Sequence, residues 1–271
     1  MRETLTAPAR QNATLSETGH RPWPLPKRHW LMGQSWLELL FAHWPVDLAA
    51  VRRHVPPPLV VETFDGAAWV GVTPFRVTGL RLTATPPLPG VSAFPELNAR
   101  TYVTVGDKPG IWFFSLDAAS RVAVAAARRF YRLPYFRARM SVERRDGTIA
   151  YASERRDDRG HEARFRADYR PLGPEAPAAP GSLEHFLTER YCLYTLDPEG
   201  RPLRADIHHP PWPLRPAEAE IETNTMAPPG LDLPAVDPLL HFSARQDVVI
   251  WNLEPADVTS RTGERTAPAS A

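Results

Sequence analysis

Lysine is almost missing from this chain of 271 residues, whose basic side chains are nearly all arginine. The two lysines, Lys27 and Lys108, leave very few amines for covalent chemistry. Cysteine is equally scarce, because Cys192 stands alone and excludes an intramolecular disulfide framework. Its apolar neighbours, residues 191–196, predict a small buried side chain rather than a catalytic thiol. We therefore expect a reducing, cytoplasmic location.

Long apolar runs and an excess of charge are also lacking. No uncharged apolar stretch approaches the length of a membrane span, so the sequence predicts no membrane partner. The net charge is +1, which argues against a nucleic-acid partner, because such proteins carry an excess of basic residues. The sequence contains no phosphate-binding glycine loop and no histidine, cysteine or carboxylate cluster with metal-like spacing, so no cofactor and no metal is expected.

The length is sufficient for one large β-rich domain with a sizeable core. Residues 1–26 are polar and contain Ala, Thr and Pro, which predicts a disordered leader. Residues 256–271 have a similar composition and predict a disordered tail. Residues 27–255 are then expected to form a single domain.

Alternating side chains and turn chemistry predict a fold dominated by antiparallel strands. A strand over residues 30–45 precedes a short helix with Asp47 at its N-cap. An alanine-rich helix is predicted from an N-cap at Asp117 to about Tyr131, and a three-stranded meander follows, to about residue 170. The fold class is therefore α+β, a mostly antiparallel sheet or barrel with a few short helices.

A row of polar side chains marks the strand that begins near Phe94. Because side chains alternate along a strand, Glu96, Asn98 and Arg100 share one face of an otherwise apolar stretch. Two interpretations remain open. Glu96 and Arg100 form a purely structural buried ion pair, or they bind a polar small molecule, with Glu96 as acid or base.

Eight sequence blocks between about Trp30 and Pro255 carry a resemblance to a known family: FAHWPVD, PPPL, DGAAWVGVTPF, FPELNARTYV, PGIWFFSLDA, LPYFRARM, LTERYCLY and HHPPWPL. As a set they resemble the uncharacterised YqjF-like family, a branch of the acetoacetate-decarboxylase-like superfamily. The resemblance implies a cone-shaped or barrel-like β-structure with helices packed outside and a cavity inside.

The chain departs from that superfamily at the catalytic lysine. The enzyme that gives the superfamily its name uses a lysine as a Schiff base, and its Pro-Lys-Lys pattern falls on residues 134–136, Pro-Tyr-Phe. The superfamily's arginine ahead of the first helix falls near Leu37, and one of its glutamates near Val70 or Gly71. Only the second glutamate has a match, which is Glu96.

The resemblance and the polar row together predict a site that lines an internal cavity. Tyr135, at the place of the lysine nucleophile, joins Glu96 as a catalytic candidate. Asn98 and Arg100 are the polar candidates for substrate binding. Three aromatic side chains are predicted as further substrate-binding walls: Trp69, Trp112 and Phe114.

Two classes of function fit this site. The first is a lyase or isomerase type of enzyme that acts on a carbonyl or carboxylate substrate without a Schiff-base lysine, because Lys27 and Lys108 are both expected at hydrated positions. The second is a non-catalytic module that binds or senses a metabolite. In both, the partner is a small-molecule ligand that the sequence does not identify. Exposed strand edges also allow a homo-oligomer, of no particular symmetry.

Overall fold

The computed structural model describes residues 2–88 and 90–256, so the predicted tail lies, apart from Ala256, outside the described residues. Four α-helices occur in this part of the chain: α1 (Arg2–Ala13), α2 (Leu48–Arg52), α3 (Arg121–Phe130) and α4 (Leu183–Thr188). The strands are β1 (Met32–Val46), β2 (Val60–Val61), β3 (Ala68–Leu82), β4 (Phe94–Val105), β5 (Lys108–Ala118), β6 (Tyr135–Arg145), β7 (Thr148–Arg155), β8 (Arg164–Pro171), β9 (Cys192–Leu196), β10 (Pro202–His208), β11 (Arg215–Asn224), β12 (Leu239–Ile250) and β13 (Glu254–Pro255). None of these helices has the length and apolar character needed to cross a membrane.

The strands form two closed rings. They form one sheet in the order β13-β10-β9-β5-β6-β7-β8-β11-β12-β1-β3-β4-β2, and β4 also pairs with β5. The nine strands from β5 to β4 in this order therefore form a closed ring. An additional pairing of β10 with β12 closes a second ring of seven strands through β9 and β10. The two rings share β12, β1, β3, β4 and β5 as a common wall.

Among the described strands, all pairings are antiparallel except those of β5 with β6 and with β9. The predicted class, α+β with mostly antiparallel strands, is confirmed.

The common wall is buried on both faces, because each ring encloses its own apolar interior. Inside the nine-stranded ring, Leu97 and Ala99 of β4 pack in one cluster with Tyr151 and Tyr169, from the meander formed by β6, β7 and β8. The Tyr151 hydroxyl donates a 2.8 Å hydrogen bond to the backbone carbonyl of Glu96. This bond fixes β4 from the side opposite to the Glu96 carboxyl group, which faces the second ring.

Local sequence chemistry explains several element boundaries. The Asp47 carboxylate accepts a hydrogen bond from the amide of Ala50, so it caps α2 as predicted. The helix after β5 begins later than predicted, since Ser120, not Asp117, is its N-cap. Asp117 lies inside β5, fully buried, and its carboxylate pairs with the equally buried Arg155 at 2.7 Å. A distant partner therefore keeps this residue in the strand.

Part of the predicted disordered leader is helical in this structure, in which α1 spans Arg2–Ala13. Helix α1 packs against β1, β3 and β12, and Gln11 is completely buried. Its side chain donates to the Gly79 carbonyl at 3.0 Å and accepts from Arg81 Nε at 2.7 Å. Gly33 provides the space, because a Cβ atom there would lie 2.4 Å from Gln11 Oε1. The hydrogen-bonded side-chain amide of Gln11 thus anchors a segment whose average composition is that of a linker.

Candidate functional site

A cavity of about 680 Å³ lies in the seven-stranded ring, next to α3. Every strand of that ring contributes lining residues, for example Trp36, Phe75, Glu96, Phe113, Leu193, Ile207 and Ile250. Most of the lining is apolar, and β4 contributes three of its polar side chains, Glu96, Asn98 and Arg100. An apolar cavity with a few convergent polar groups is the usual form of a small-molecule site.

The structure places Glu96, Asn98 and Arg100 on the cavity wall, with Tyr135 at the start of β6. The Tyr135 hydroxyl lies 3.1 Å from both carboxylate oxygens of Glu96. β6 runs parallel to β5, with Leu116 opposite Tyr135, and this pairing brings the tyrosine to the polar row. The two catalytic candidates are therefore neighbours in space.

Glu96 is held in an environment that favours its neutral form. Its side chain is buried, with a residue exposure of 5%, and it forms no ion pair with any other described residue. Desolvation raises its pKa to about 8, against the opposing effect of the hydrogen bond from Tyr135. Burial and the neighbouring Glu96 carboxyl also raise the pKa of Tyr135 well above its ordinary value. Near neutral pH, Glu96 can thus donate a proton.

Arg100 is a buried cation without a carboxylate partner within the described part of the chain. Its Nη2 atom lies 3.5 Å from the Leu187 carbonyl, while Nε has no hydrogen-bond partner. The guanidinium carbon lies 5.2 Å from the ring centre of Phe41 and 5.8 Å from that of Tyr102. The structural ion pair between Glu96 and Arg100 that the sequence allowed is therefore not formed.

Asn98, which lies between them on β4, also has an unsatisfied polar atom. Its side-chain Oδ1 is buried and has no hydrogen-bond partner in the structure. A polar atom buried without a partner is costly. Asn98 Oδ1 and Arg100 Nε together therefore provide one acceptor and one donor that a ligand could satisfy.

The predicted aromatic walls do not line this cavity. Trp112 and Phe114 pack against the core of the nine-stranded ring, while Phe113 between them lines the cavity. Trp69 shares a face of β3 with Thr73 by alternation but does not line the cavity. The phase of β5 could not be derived, because a strand that is apolar on both faces shows no alternation.

Several lining residues were not among the predicted ones. Trp36 and Trp212 stack with their ring centres 5.9 Å apart, and both face the cavity. Arg190 also lines it but is neutralised by an ion pair with Glu62. His209 lines the cavity as well, and burial lowers its pKa. The adjacent histidines of the HHPPW block were a signal that one of them could face the interior.

Neither lysine of the chain lines the cavity. Lys27 is exposed, as predicted. Lys108 is buried and pairs with Asp206, so its predicted hydrated position was wrong. Across residues 2–88 and 90–256, no three His, Cys, Asp or Glu side chains come together as a metal site. The cavity therefore offers an acid, a phenol, an amide and a cation, but no lysine amine.

The fold defined by these rings is that of the acetoacetate-decarboxylase-like proteins. A structure of the enduracididine biosynthesis enzyme MppR complexed with pyruvate is 13% identical, with a TM-score of 0.59 over 88% of this chain and 93% of that one. An acetoacetate decarboxylase structure is 14% identical, with a TM-score of 0.57 over 90% of this chain and 97% of that one. At such identities the likeness concerns the fold alone.

The chain belongs to the DUF2071 family of uncharacterised conserved proteins, whose model matches residues 33–247. It is 49% identical to the uncharacterised protein YqjF of Bacillus subtilis (strain 168) over 230 residues. That alignment covers 84% of this chain and 94% of YqjF. The resemblance read from the sequence blocks is confirmed.

Proposed function

We propose that this protein binds a small molecule with an apolar body and a carboxylate beside a carbonyl group, and converts it without a Schiff-base lysine. The observation that carries the proposal is the buried guanidinium of Arg100, which faces the cavity and lacks a counter-ion among the described residues. The reaction class that fits is a lyase or isomerase reaction in which Glu96 transfers the proton.

A buried cation without a partner is costly, by several kcal/mol in proteins. Glu96 does not neutralise Arg100, because with a pKa of about 8 it is mostly protonated at neutral pH. The aromatic faces of Phe41 and Tyr102 offset roughly 1–2 kcal/mol of the cost. A ligand carboxylate would offset more, since guanidinium and carboxylate groups form paired, charge-assisted hydrogen bonds. The site therefore favours an anionic ligand.

The proton-transfer chemistry follows from the states of the two neighbouring groups. The neutral carboxyl group of Glu96 donates its proton to the carbonyl oxygen of the substrate while a solvent water takes the proton from the neighbouring carbon, which gives the enol. The hydroxyl of Tyr135, 3.1 Å away, then donates a hydrogen bond to the carboxylate that remains. Pyruvate, which is bound in the MppR structure, is a carboxylate beside a carbonyl, and this likeness supports the proposed substrate class.

Intrinsic fluorescence from Trp36 and Trp212 gives a direct binding assay. We expect 2-oxooctanoate to bind more tightly than its primary amide. Arg100→Met should weaken binding of the acid by roughly 10- to 100-fold, the value of a hydrogen-bonded charge, and leave the amide unaffected. The matched control is Arg166→Met, on the exposed face of β8. Equal losses for acid and amide, or no loss, would refute the role of Arg100.

Catalysis is tested separately from binding. We expect wild-type protein in deuterated water to exchange the protons beside the carbonyl of 2-oxooctanoate, measured by proton NMR, and Glu96→Gln to bind but not to exchange. If the wild type binds the ligand but exchanges its protons no faster than Glu96→Gln does, the protein is a binding module for this ligand. Borohydride trapping with a 3-oxo acid should give no covalent adduct, and an adduct on Lys108 would contradict the lysine-free route.

A further inference from the structure

The opening of the cavity is bordered by exposed apolar side chains from three separate elements. Leu82 ends β3, Leu88 lies in the following loop, and Val122 and Phe130 lie on α3. All four line the cavity while remaining 54–68% exposed to solvent. Only eight large hydrophobic residues are exposed in the described part of the chain, so half of them border this one opening. We name these four residues the apolar rim.

The two segments that carry the apolar rim bear charge of one sign. These segments, residues 78–94 and 118–136, contain no aspartate or glutamate. Arg121, Arg129 and Arg132 are exposed on α3 or directly after it. None of the three forms an ion pair with another described residue. The opening is therefore apolar at its centre and positively charged at its side.

We propose that the apolar rim docks on an anionic membrane surface, from which an amphiphilic ligand can enter the cavity. A bilayer supplies acyl chains for the four apolar side chains and anionic headgroups for the three arginines. It is also a source of ligands whose apolar body suits the cavity. The docking does not depend on Arg100, so it can fail or succeed independently of the proposed reaction.

A second copy of this chain fits the same surface less well. Across a two-fold axis the same patch meets itself, which would bring Arg121, Arg129 and Arg132 towards their own counterparts. The two rim segments contain no acidic residue that could neutralise them. Because the sequence lacks a long apolar run, no membrane partner was expected. A patch assembled from several elements leaves no such run in the sequence.

The size of the charge effect can be estimated. A basic residue near an anionic bilayer contributes about a fivefold gain in binding, so three exposed arginines predict a preference on the order of 100-fold for anionic over neutral vesicles at low salt. The preference should fall as salt screens it. If electrostatic attraction alone caused vesicle binding, the loss of apolar side chains would not weaken it. A loss of binding in such variants therefore distinguishes docking from general electrostatic attraction.

The test is cosedimentation of the full chain with phosphatidylcholine vesicles, with and without roughly one-third phosphatidylglycerol. We expect binding to the anionic vesicles only, and its loss in Val122→Asp/Phe130→Asp. The matched control, Val60→Asp/Val236→Asp, changes side chains that are 60% and 53% exposed but lie outside the rim. It carries the same added charge and should retain most of the binding.

Three outcomes would overturn the proposal. The first is no binding to anionic vesicles at low salt, and the second is an equal loss in the rim and control variants. The third is a concentration-dependent dimer, seen by analytical ultracentrifugation, that the rim variant breaks while vesicles leave the wild type in solution. If the rim variant does not fold, Arg121→Gln/Arg129→Gln/Arg132→Gln replaces it. That variant should lose anionic binding, and unchanged binding would also refute the docking.

Discussion

Replacing Glu96 by glutamine should remove a pH-dependent destabilisation of the fold. Glu96 has a pKa of about 8 in the folded protein, against an ordinary value of 4.5. The folded state therefore binds more protons than the unfolded state between these values. The stability associated with the neutral carboxyl group is complete below pH 4.5 and is lost as the pH rises towards 8. At 1.36 kcal/mol for each pH unit, the loss approaches roughly 5 kcal/mol.

Urea unfolding of both proteins between about pH 5 and pH 9 measures this effect. The free energy of unfolding of Glu96→Gln, relative to wild type, should increase by about 1.4 kcal/mol per pH unit and level off above the folded pKa. Glu220→Gln, on an exposed position of β11, is the control and should give no such slope. Parallel curves for Glu96→Gln and wild type would show that Glu96 is already ionised in the folded protein, and would refute our assignment of the proton.

Three other substitutions test the surroundings of the site. Tyr135→Phe removes the hydrogen bond that lowers the pKa of Glu96, so the pH at which the stability difference levels off should rise. Gly71→Ala would place a Cβ atom 2.9 Å from His43 Cδ2, and overpacking of this kind costs roughly 1–3 kcal/mol in urea unfolding. Gln11→Ala leaves buried polar groups of β3 without partners, which should cost about 1–3 kcal/mol in the same assay.

Each of these has a control or an outcome that would contradict it. A downward shift of the levelling pH in Tyr135→Phe would show that the hydroxyl does not stabilise the carboxylate. Gly19→Ala controls for the glycine substitution, because a Cβ atom there meets nothing within 4 Å. Glu17→Ala, exposed in the same N-terminal segment, controls for Gln11. If Glu17→Ala lost as much stability as Gln11→Ala, the segment would tolerate no change, and the loss could not be assigned to the hydrogen bonds of Gln11.

The sequence predicted those parts of the fold that short-range chemistry decides. Asp47 caps its helix through a hydrogen bond to an amide three residues away, and such local contacts are readable from a pattern. Asp117 has the same capping chemistry, but its carboxylate is bound by Arg155, which lies 38 residues further on. Gln11 is likewise held by residues far along the chain. Where a distant partner determines the position of a residue, composition and local propensity predict the wrong local structure.

The candidate site was likewise predicted only in part, and the burial of the common wall by two different interiors explains why. On β4 the side chains alternate between Glu96 or Asn98 towards the cavity and Leu97 towards the other core, so the polar row was visible in the sequence. On β5 both faces are apolar because two different interiors bury them, and Phe113 could not be distinguished from its neighbours.

The replacement of the superfamily's lysine has a chemical consequence. Tyr135 occupies the place where the resemblance puts the nucleophile, and its hydroxyl bonds the neutral carboxyl group of Glu96. A phenol has no nitrogen, so Tyr135 cannot form the imine that a lysine forms with a ketone. The cation at Arg100 does not require that chemistry, because it attracts a carboxylate whether or not the carbonyl beside it is captured covalently. We therefore expect a cavity that offers a cation but no amine to bind oxo acids reversibly and to act on them through proton transfer.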